Sequence, residues 1–287
     1  MKTKKANRKN AGKCIVCGGN KLKRYKTSIA PFLVERMFDN KFHKTDLLIC
    51  ENCSLRFVEL RPNEEEMYKL YKDYRGDEYQ KQRQKHEPDY SKDFNNKLGH
   101  DIEEKKKRIE NLSEIIQQKV DCLSIKNVLD FGGDEGQFIP NEFKNAKKFV
   151  YDVSGVKPIE GINSIVDEGD LKNYQWDFVM CCHVLEHVSY PMEIINKIFS
   201  LIKPEGYLYI ELPNEPIEKY QFKEFIRRPR TLFEVISNKS LMVMPKMHEH
   251  INFFDIKTLE YIFSNLGCEI LNKQVTSKIV SILIKRG

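Results

Sequence analysis

Val128-Leu129-Asp130-Phe131-Gly132-Gly133-Asp134-Glu135-Gly136-Gln137-Phe138 decides how this chain folds. Its first four residues form a short apolar run bounded by glycine, the pattern of a buried strand entering a turn. Glycines there let backbone amides approach a ligand closely, and a helix is expected to follow. The next apolar run, Lys148 to Asp152, ends in an acid placed to accept hydrogen bonds from ribose hydroxyls. Asn163 to Val166, Asp177 to Cys182 and Tyr207 to Leu212 read as further strands. Helices fit between them, including Pro191 to Leu201 with proline in its first turn. Such alternation predicts a doubly wound α/β sheet that binds ligands beyond the carboxyl ends of its strands. The turn lacks a full Gly-x-Gly-x-x-Gly, and Asp134 and Glu135 would repel a pyrophosphate. A cofactor bearing a sulfonium and an ammonium tolerates them better.

Upstream, Cys14-Ile15-Val16-Cys17 and Cys50-Glu51-Asn52-Cys53 are two of the most specific features in the chain. Paired Cys-x-x-Cys knuckles suit tetrahedral thiolate binding of Zn²⁺, and four protein ligands leave no position open for catalysis. The other four of the eight cysteines, Cys122, Cys181, Cys182 and Cys268, have apolar neighbours and read as small buried side chains. The layout is a basic arm (1–13), a zinc-binding module (14–60), a helical connector (61–125) and an α/β domain (126–287) with an insertion at 214–250. Phe94, Leu98, Ile102, Ile109, Leu112, Ile116 and Val120 recur at helical spacing and predict one long amphipathic helix in the connector. A helix near 255–266 and two strands near 269–274 and 278–285 are expected to close the chain.

With 40% hydrophobic residues, 17 Phe and 13 Tyr in 287 residues, the composition is that of a folded protein. No apolar run approaches the roughly 20 residues of a membrane span, and the reading is cytoplasmic. Six of the 48 basic residues fall in the first thirteen, so the remaining 42 balance the 42 acids. A neutral body argues against nucleic acid as partner. Nothing in the sequence specifies an oligomeric state.

The 128–138 loop resembles motif I of class I S-adenosylmethionine-dependent methyltransferases, with Asp130, Gly132 and Gly136 matching and Asp134 at the middle glycine. Trp176-Asp177-Phe178-Val179-Met180-Cys181-Cys182-His183-Val184-Leu185-Glu186-His187-Val188 resembles motif IV of the sugar C-methyltransferases. Lys203 to Asn214 resembles the strand that follows, with Glu205 where glycine is usual. The resemblance implies a Rossmann-like sheet of seven strands whose last runs antiparallel, behind a small zinc-ribbon-like module. It places Gly132 and Gly136 at the methionine moiety, Asp152 at the ribose and Asp167 or Asp170 at the adenine amine, with His183 also lining the cofactor.

Methyl transfer is an in-line displacement, so the protein must position the acceptor and, for a hydroxyl or carbon acid, remove a proton. His248-Glu249-His250-Ile251-Asn252-Phe253-Phe254 resembles the acceptor-site segment of sugar methyltransferases, with Met247 in place of a tyrosine. Glu249 and His250 are therefore the candidate catalytic pair, with His187 assisting. His183, Glu186 and His187 share helical spacing; His187 reads as an ordering group, with a divalent ion as the alternative. Tyr68, Tyr71, Tyr74, Tyr79 and Tyr90 offer stacking surfaces, and Arg227, Arg228 and Arg230 a phosphate clamp. The expected substrate is a sugar or nucleotide-sugar. RNA methylation and a non-catalytic scaffold on the same fold are the alternatives.

Overall fold

The computed structural model describes residues 12–98, 102–216 and 245–287. Strands β4 (Asn127–Phe131), β5 (Lys147–Tyr151), β6 (Asn163–Ile165), β7 (Trp176–Cys182), β8 (Ile202–Pro213), β10 (Glu269–Val275) and β11 (Ile279–Lys285) form one sheet. Its order is β10-β11-β8-β7-β4-β5-β6, with β4 interior, paired in parallel with β5 and β7. Only β11 runs antiparallel to its neighbours. This is the seven-stranded, Rossmann-like α/β sheet expected from the sequence.

Alternation along β4 sends Val128 to one face and Leu129 and Phe131 to the other. The first face is covered by α5 (Ile102–Lys119), whose Leu112, Ile115 and Ile116 pack with Phe143, Phe178 and Tyr209. On the second face lie α6 (Pro191–Leu201), α7 (Ile256–Asn265) and the cysteine knuckles with Leu48, Leu55 and Phe57.

Two expected helices are not as the pattern suggested. The glycine turn leads into no α-helix: Gly136 takes φ 75, Pro140 follows, and only a 3₁₀ turn forms at Asn141–Phe143. Another 3₁₀ segment, Glu168–Asn173, joins β6 to β7. The connector is not one helix either. Helix α4 (Lys92–Lys97) ends where Leu98 turns to ψ 121, just before Gly99, a poor helix former, and α5 begins at Ile102. Leu98 then packs with the N-terminal cluster rather than continuing the stripe of α5.

A second sheet comprises β1 (Leu22–Ser28), β2 (Lys44–Cys50), β3 (Arg56–Val58) and β9 (Asn252–Phe253), all antiparallel. Helices α1 (Pro31–Arg36), α2 (Glu64–Tyr71) and α3 (Asp77–His86) pack beside it. Its fourth strand thus comes from the far end of the sequence. Ala30 N–H donates to the Met247 carbonyl at 2.9 Å, Met247 N–H to Ser28 at 2.9 Å, and Val58 N–H to Ile251 at 2.9 Å. Met247, Ile251 and Phe253 are buried in the cluster built on α1, at roughly 1.5–3 kcal/mol each.

Arg61 locks this arrangement. Its guanidinium donates to the carbonyls of Val58, Val188, Ser189 and Ile251 and to Asn252 Oδ1 at 2.7–3.4 Å. Burial pulls its pKa down to about 9, which still leaves it a cation at neutral pH. Arg61→Leu strips several buried acceptors of their donor, at about 1–3 kcal/mol each. A loss of about 3 kcal/mol or more is expected in denaturant unfolding.

Candidate active site

At the carboxyl end of β4, Asp130 is buried and its Oδ1 has no hydrogen-bond donor among the described residues. Burial, reinforced by Asp152, Asp134 and Glu211 and opposed by Arg108, lifts its pKa to about 7. Gly132 follows at φ 74, where an added Cβ would come within 2.4 Å of Val184 Cγ2. Asp134, at the glycine position of the motif, takes φ 55, a left-handed conformation that aspartate tolerates better than most residues. Its N–H donates to Asp152 Oδ2 at 3.0 Å, while Ser154 N–H donates to Oδ1 at 2.8 Å. Glu205 repeats the pattern at φ 64, its N–H bonded to the Arg286 carbonyl. Both departures from glycine keep the turn they occupy.

The crevice so formed gathers the carboxylates of Asp130, Asp134 and Asp152, with Glu135 beside them. It fits a cationic ligand with ribose hydroxyls and disfavours a pyrophosphate. The unpartnered Asp130 oxygen and the steric opening at Gly132 are the features that match S-adenosylmethionine. Gly136 does not face the crevice; a Cβ there would meet Ile162 Cδ1 at 2.8 Å. Asp167 and Asp170 also lie outside it. Asp167 caps the 3₁₀ segment through Gly169 N–H at 2.7 Å, and Asp170 accepts from Asn173 at 3.1 Å.

His183, at the end of β7, adopts φ 56, a rare conformation for a side-chain-bearing residue. Its N–H donates to the Glu211 carbonyl at 2.8 Å, its Nε2 lies 3.2 Å from Glu211 Oε1, and its Nδ1 3.3 Å from Glu186 Oε1. Burial works against its protonation, yet the two carboxylates lift its pKa to about 9. Glu211 also accepts from Arg108 Nε at 2.7 Å and Tyr209 Oη at 2.9 Å. Arg108 in turn lies over the Phe138 ring at 4.0 Å, tying α5 to the loop.

The opening runs on from Asp130 and Gly132 past His183 to His187, Glu249 and His250. His187 Nδ1 donates to the Glu249 carbonyl at 3.1 Å, and burial lowers its pKa, so the ring is neutral at pH 7. His250 Nδ1 donates to Glu215 Oε2 at 2.7 Å; burial opposes protonation, but Glu215 raises the pKa. The two imidazoles meet edge to face at 4.8 Å. Glu249, by contrast, is spoken for. Arg83 donates to its Oε2 at 2.9 Å and Tyr79 to its Oε1. Burial opposes its ionisation, but Arg83 and His248 hold the carboxyl below its ordinary range. Both of its oxygens are thus held by donors from α3.

Met247 is wholly buried and does not reach the opening. Of the five tyrosines, Tyr68, Tyr71, Tyr74 and Tyr90 line the opening, and the Tyr71 hydroxyl is buried without a partner among the described residues. Arg227, Arg228 and Arg230 lie outside the described residues. Sequence reading missed Arg83, Arg108, Glu211 and Glu215. Arg108 sits among lysines on an amphipathic helix, and only Glu211, an acid inside an apolar strand, gave a signal that could have been read.

The sulfurs of Cys14, Cys17, Cys50 and Cys53 all lie within 4.8 Å of one another, with Cys14–Cys53 at 3.6 Å and Cys17–Cys50 at 3.5 Å. Tetrahedral Zn–S bonds of ~2.3 Å require sulfurs ~3.8 Å apart, so the quartet can close on one ion. Val16 N–H points to Cys14 Sγ at 3.5 Å and Gly19 N–H to Cys17 Sγ at 3.4 Å. Thr258 Oγ1 donates to the Cys53 carbonyl at 2.9 Å, fixing the knuckles to α7.

A family model described as a methyltransferase domain matches residues 84–273, about two thirds of the chain. The ubiquinone biosynthesis O-methyltransferases of Vibrio vulnificus (strain YJ016) and Vibrio parahaemolyticus serotype O3:K6 (strain RIMD 2210633) are both 26% identical, over 157 and 155 residues. Those alignments cover 49% and 48% of this chain and 62% and 61% of the relatives, so the chain spans about three fifths of their length. Among solved structures, magnesium protoporphyrin IX methyltransferase from Synechocystis PCC 6803 with bound SAH aligns with a TM-score of 0.44 at 13% identity, covering 62% of this chain and 82% of that one. An S-adenosylmethionine-dependent methyltransferase from Clostridium acetobutylicum ATCC 824 aligns with a TM-score of 0.42 at 12% identity, covering 67% and 95%. By its family match and its sheet, this chain belongs to the methyltransferase-domain family.

Proposed function

We propose that the chain transfers the methyl group of S-adenosylmethionine to a hydroxyl of a small acceptor, a sugar or nucleotide-sugar. The observation that carries the transfer is one opening joining an acid-lined, cation-accepting crevice to a pair of oriented imidazoles. When bound, the cofactor supplies an electrophilic methyl group. Asp130 stabilises positive charge beside β4, and Asp152 keeps lone pairs for ribose hydroxyls. His187, neutral and fixed through Nδ1, presents Nε2 toward the acceptor, with His250 and its Glu215 partner alongside. Glu249 holds that loop in register through Arg83 and Tyr79.

Support for a carbohydrate acceptor comes from the likeness of Glu249 to Phe254 to the sugar-methyltransferase segment and from the cysteine quartet. The relatives, named as ubiquinone biosynthesis O-methyltransferases, give a non-carbohydrate hydroxyl as a second reading. A panel of nucleotide-sugars and catechols, scored for S-adenosylhomocysteine release, separates the two. Turnover on a sugar that falls at least about 100-fold in His187→Ala is expected; turnover on catechols alone would sink the carbohydrate reading.

Binding of a cation beside Asp130 favours its ionised form. With a pKa of about 7, the empty site is partly protonated at neutral pH, so cofactor binding should release a proton. Affinity should therefore rise as pH passes upward through about 7. Calorimetry in buffers of differing ionisation enthalpy measures the release, and Asp130→Asn should abolish it.

We also propose that the quartet Cys14, Cys17, Cys50 and Cys53 holds one structural zinc. Elemental analysis should find one zinc per chain, lost in Cys50→Ser/Cys53→Ser, and chelation should lower the melting midpoint by at least about 10 °C. An unchanged midpoint after chelation would count against the metal.

A further inference from the structure

Two ring nitrogens and a carboxylate converge where the opening meets the Glu-His loop. Ligand atoms of Glu186, His187 and His250 all lie within 4.8 Å of one another. The Nδ1 atoms of both histidines are committed outward, His187 to the Glu249 carbonyl at 3.1 Å and His250 to Glu215 at 2.7 Å. Since a carbonyl and a carboxylate only accept, each Nδ1 carries a proton, and the neutral form of each ring turns an Nε2 lone pair toward Glu186. Glu186 is 1% exposed, and neither of its oxygens has a hydrogen-bond donor among the described residues. His183, a cation with its pKa near 9, brings Nδ1 to 3.3 Å from Glu186 Oε1 and Nε2 to 3.2 Å from Glu211 Oε1, and so meets part of the Glu186 charge from one side. On the other side the Glu186 carboxylate and the two imidazole nitrogens face one another in a buried place, an arrangement that a further cation among them would relieve.

We propose that Glu186, His187 and His250 bind one divalent first-row cation, distinct from the cysteine quartet, whose open positions receive an oxygen of the acceptor. One carboxylate and two imidazoles form a donor set suited to Mn²⁺, Fe²⁺, Co²⁺ or Zn²⁺. Three protein ligands leave coordination positions free, unlike the closed quartet. The outer partners are of the kind that orient ligating histidines: the Glu249 carbonyl for His187 and the Glu215 carboxylate for His250. Glu186 is itself fixed by its own carbonyl, which accepts from Ile251 N–H at 2.8 Å and Asn252 N–H at 3.1 Å. An ion here would bind an acceptor hydroxyl and lower its pKa, so the imidazoles would act through the metal rather than as free bases. This deepens the proposed function in what the open positions receive; ion binding itself does not depend on it.

Mn²⁺ is the discriminating probe, because thiolates prefer softer ions. Titration of the full, zinc-loaded chain, followed by electron paramagnetic resonance, is expected to show one bound Mn²⁺. Glu186→Gln and His250→Ala should each lose it, and Glu215→Gln should weaken it about 10–100-fold. His250 is only partly buried, so its variant decides the matter if Glu186→Gln does not fold. Absence of Mn²⁺ and of any zinc beyond one per chain would overturn the site, as would Mn²⁺ binding unchanged in both variants. Cofactor calorimetry on the same samples keeps the two ideas apart. Mn²⁺ bound without cofactor affinity would refute the proposed function alone, and cofactor bound without Mn²⁺ would refute the site alone.

Discussion

The buried guanidinium of Arg61 is the interaction on which the geometry of the opening depends. It gathers the segment after β3, the turn after the Glu186-His187 pair and the strand that follows His250. Its partners are backbone carbonyls and an amide rather than an acid, so it acts by directional bonding more than by charge neutralisation. Around it, backbone pairing of 247–253 to both β3 and the Glu186 carbonyl fixes the loop from two sides. Three apolar side chains from that loop, at roughly 1.5–3 kcal/mol each, are of the same order as the Arg61 hydrogen bonds at about 0.5–1.5 kcal/mol each. Apolar burial is non-directional, so Arg61 is the element that sets the loop's register.

The sheet was legible because its strands are local patterns. Val128 to Phe131 and Asp177 to Cys182 are apolar runs whose length alone argues for strands, and Pro191 announced its helix. Crossovers were harder. A glycine turn usually opens a helix, and nothing in Gln137 or Phe138 advertises that Gly136 and Pro140 leave only a 3₁₀ turn. The stripe from Phe94 to Val120 was read as continuous because periodicity is blind to a single residue, Leu98, whose backbone leaves the helical region. In the site, Asp130, Gly132 and Asp152 were found because a loop brings them together. Arg83 and Tyr79 lie 166 and 170 residues from Glu249, a separation that no local pattern can express.

Electrostatics divide the opening into two regions. Beside β4 the carboxylates stand in excess, and one of them is driven toward neutrality by burial. Farther along most acids have found a base: Glu211 has Arg108 and His183, Glu249 has Arg83, Glu215 has His250, while Glu186 stands among imidazoles. An organic cation is favoured at the first region, and the second offers it little beyond Glu186. That division orients a cation-bearing molecule before any shape recognition begins.

The two-residue strand β9 pairs with β3 across about 195 positions of sequence, Phe57 with Asn252 and Arg56 with Phe253. During vectorial synthesis the β3 edge of the first sheet stays bare until the segment that carries β9 has been made. An exposed strand edge is a template for pairing with another chain. For that interval the edge of β3 is open to mispairing with a second nascent chain.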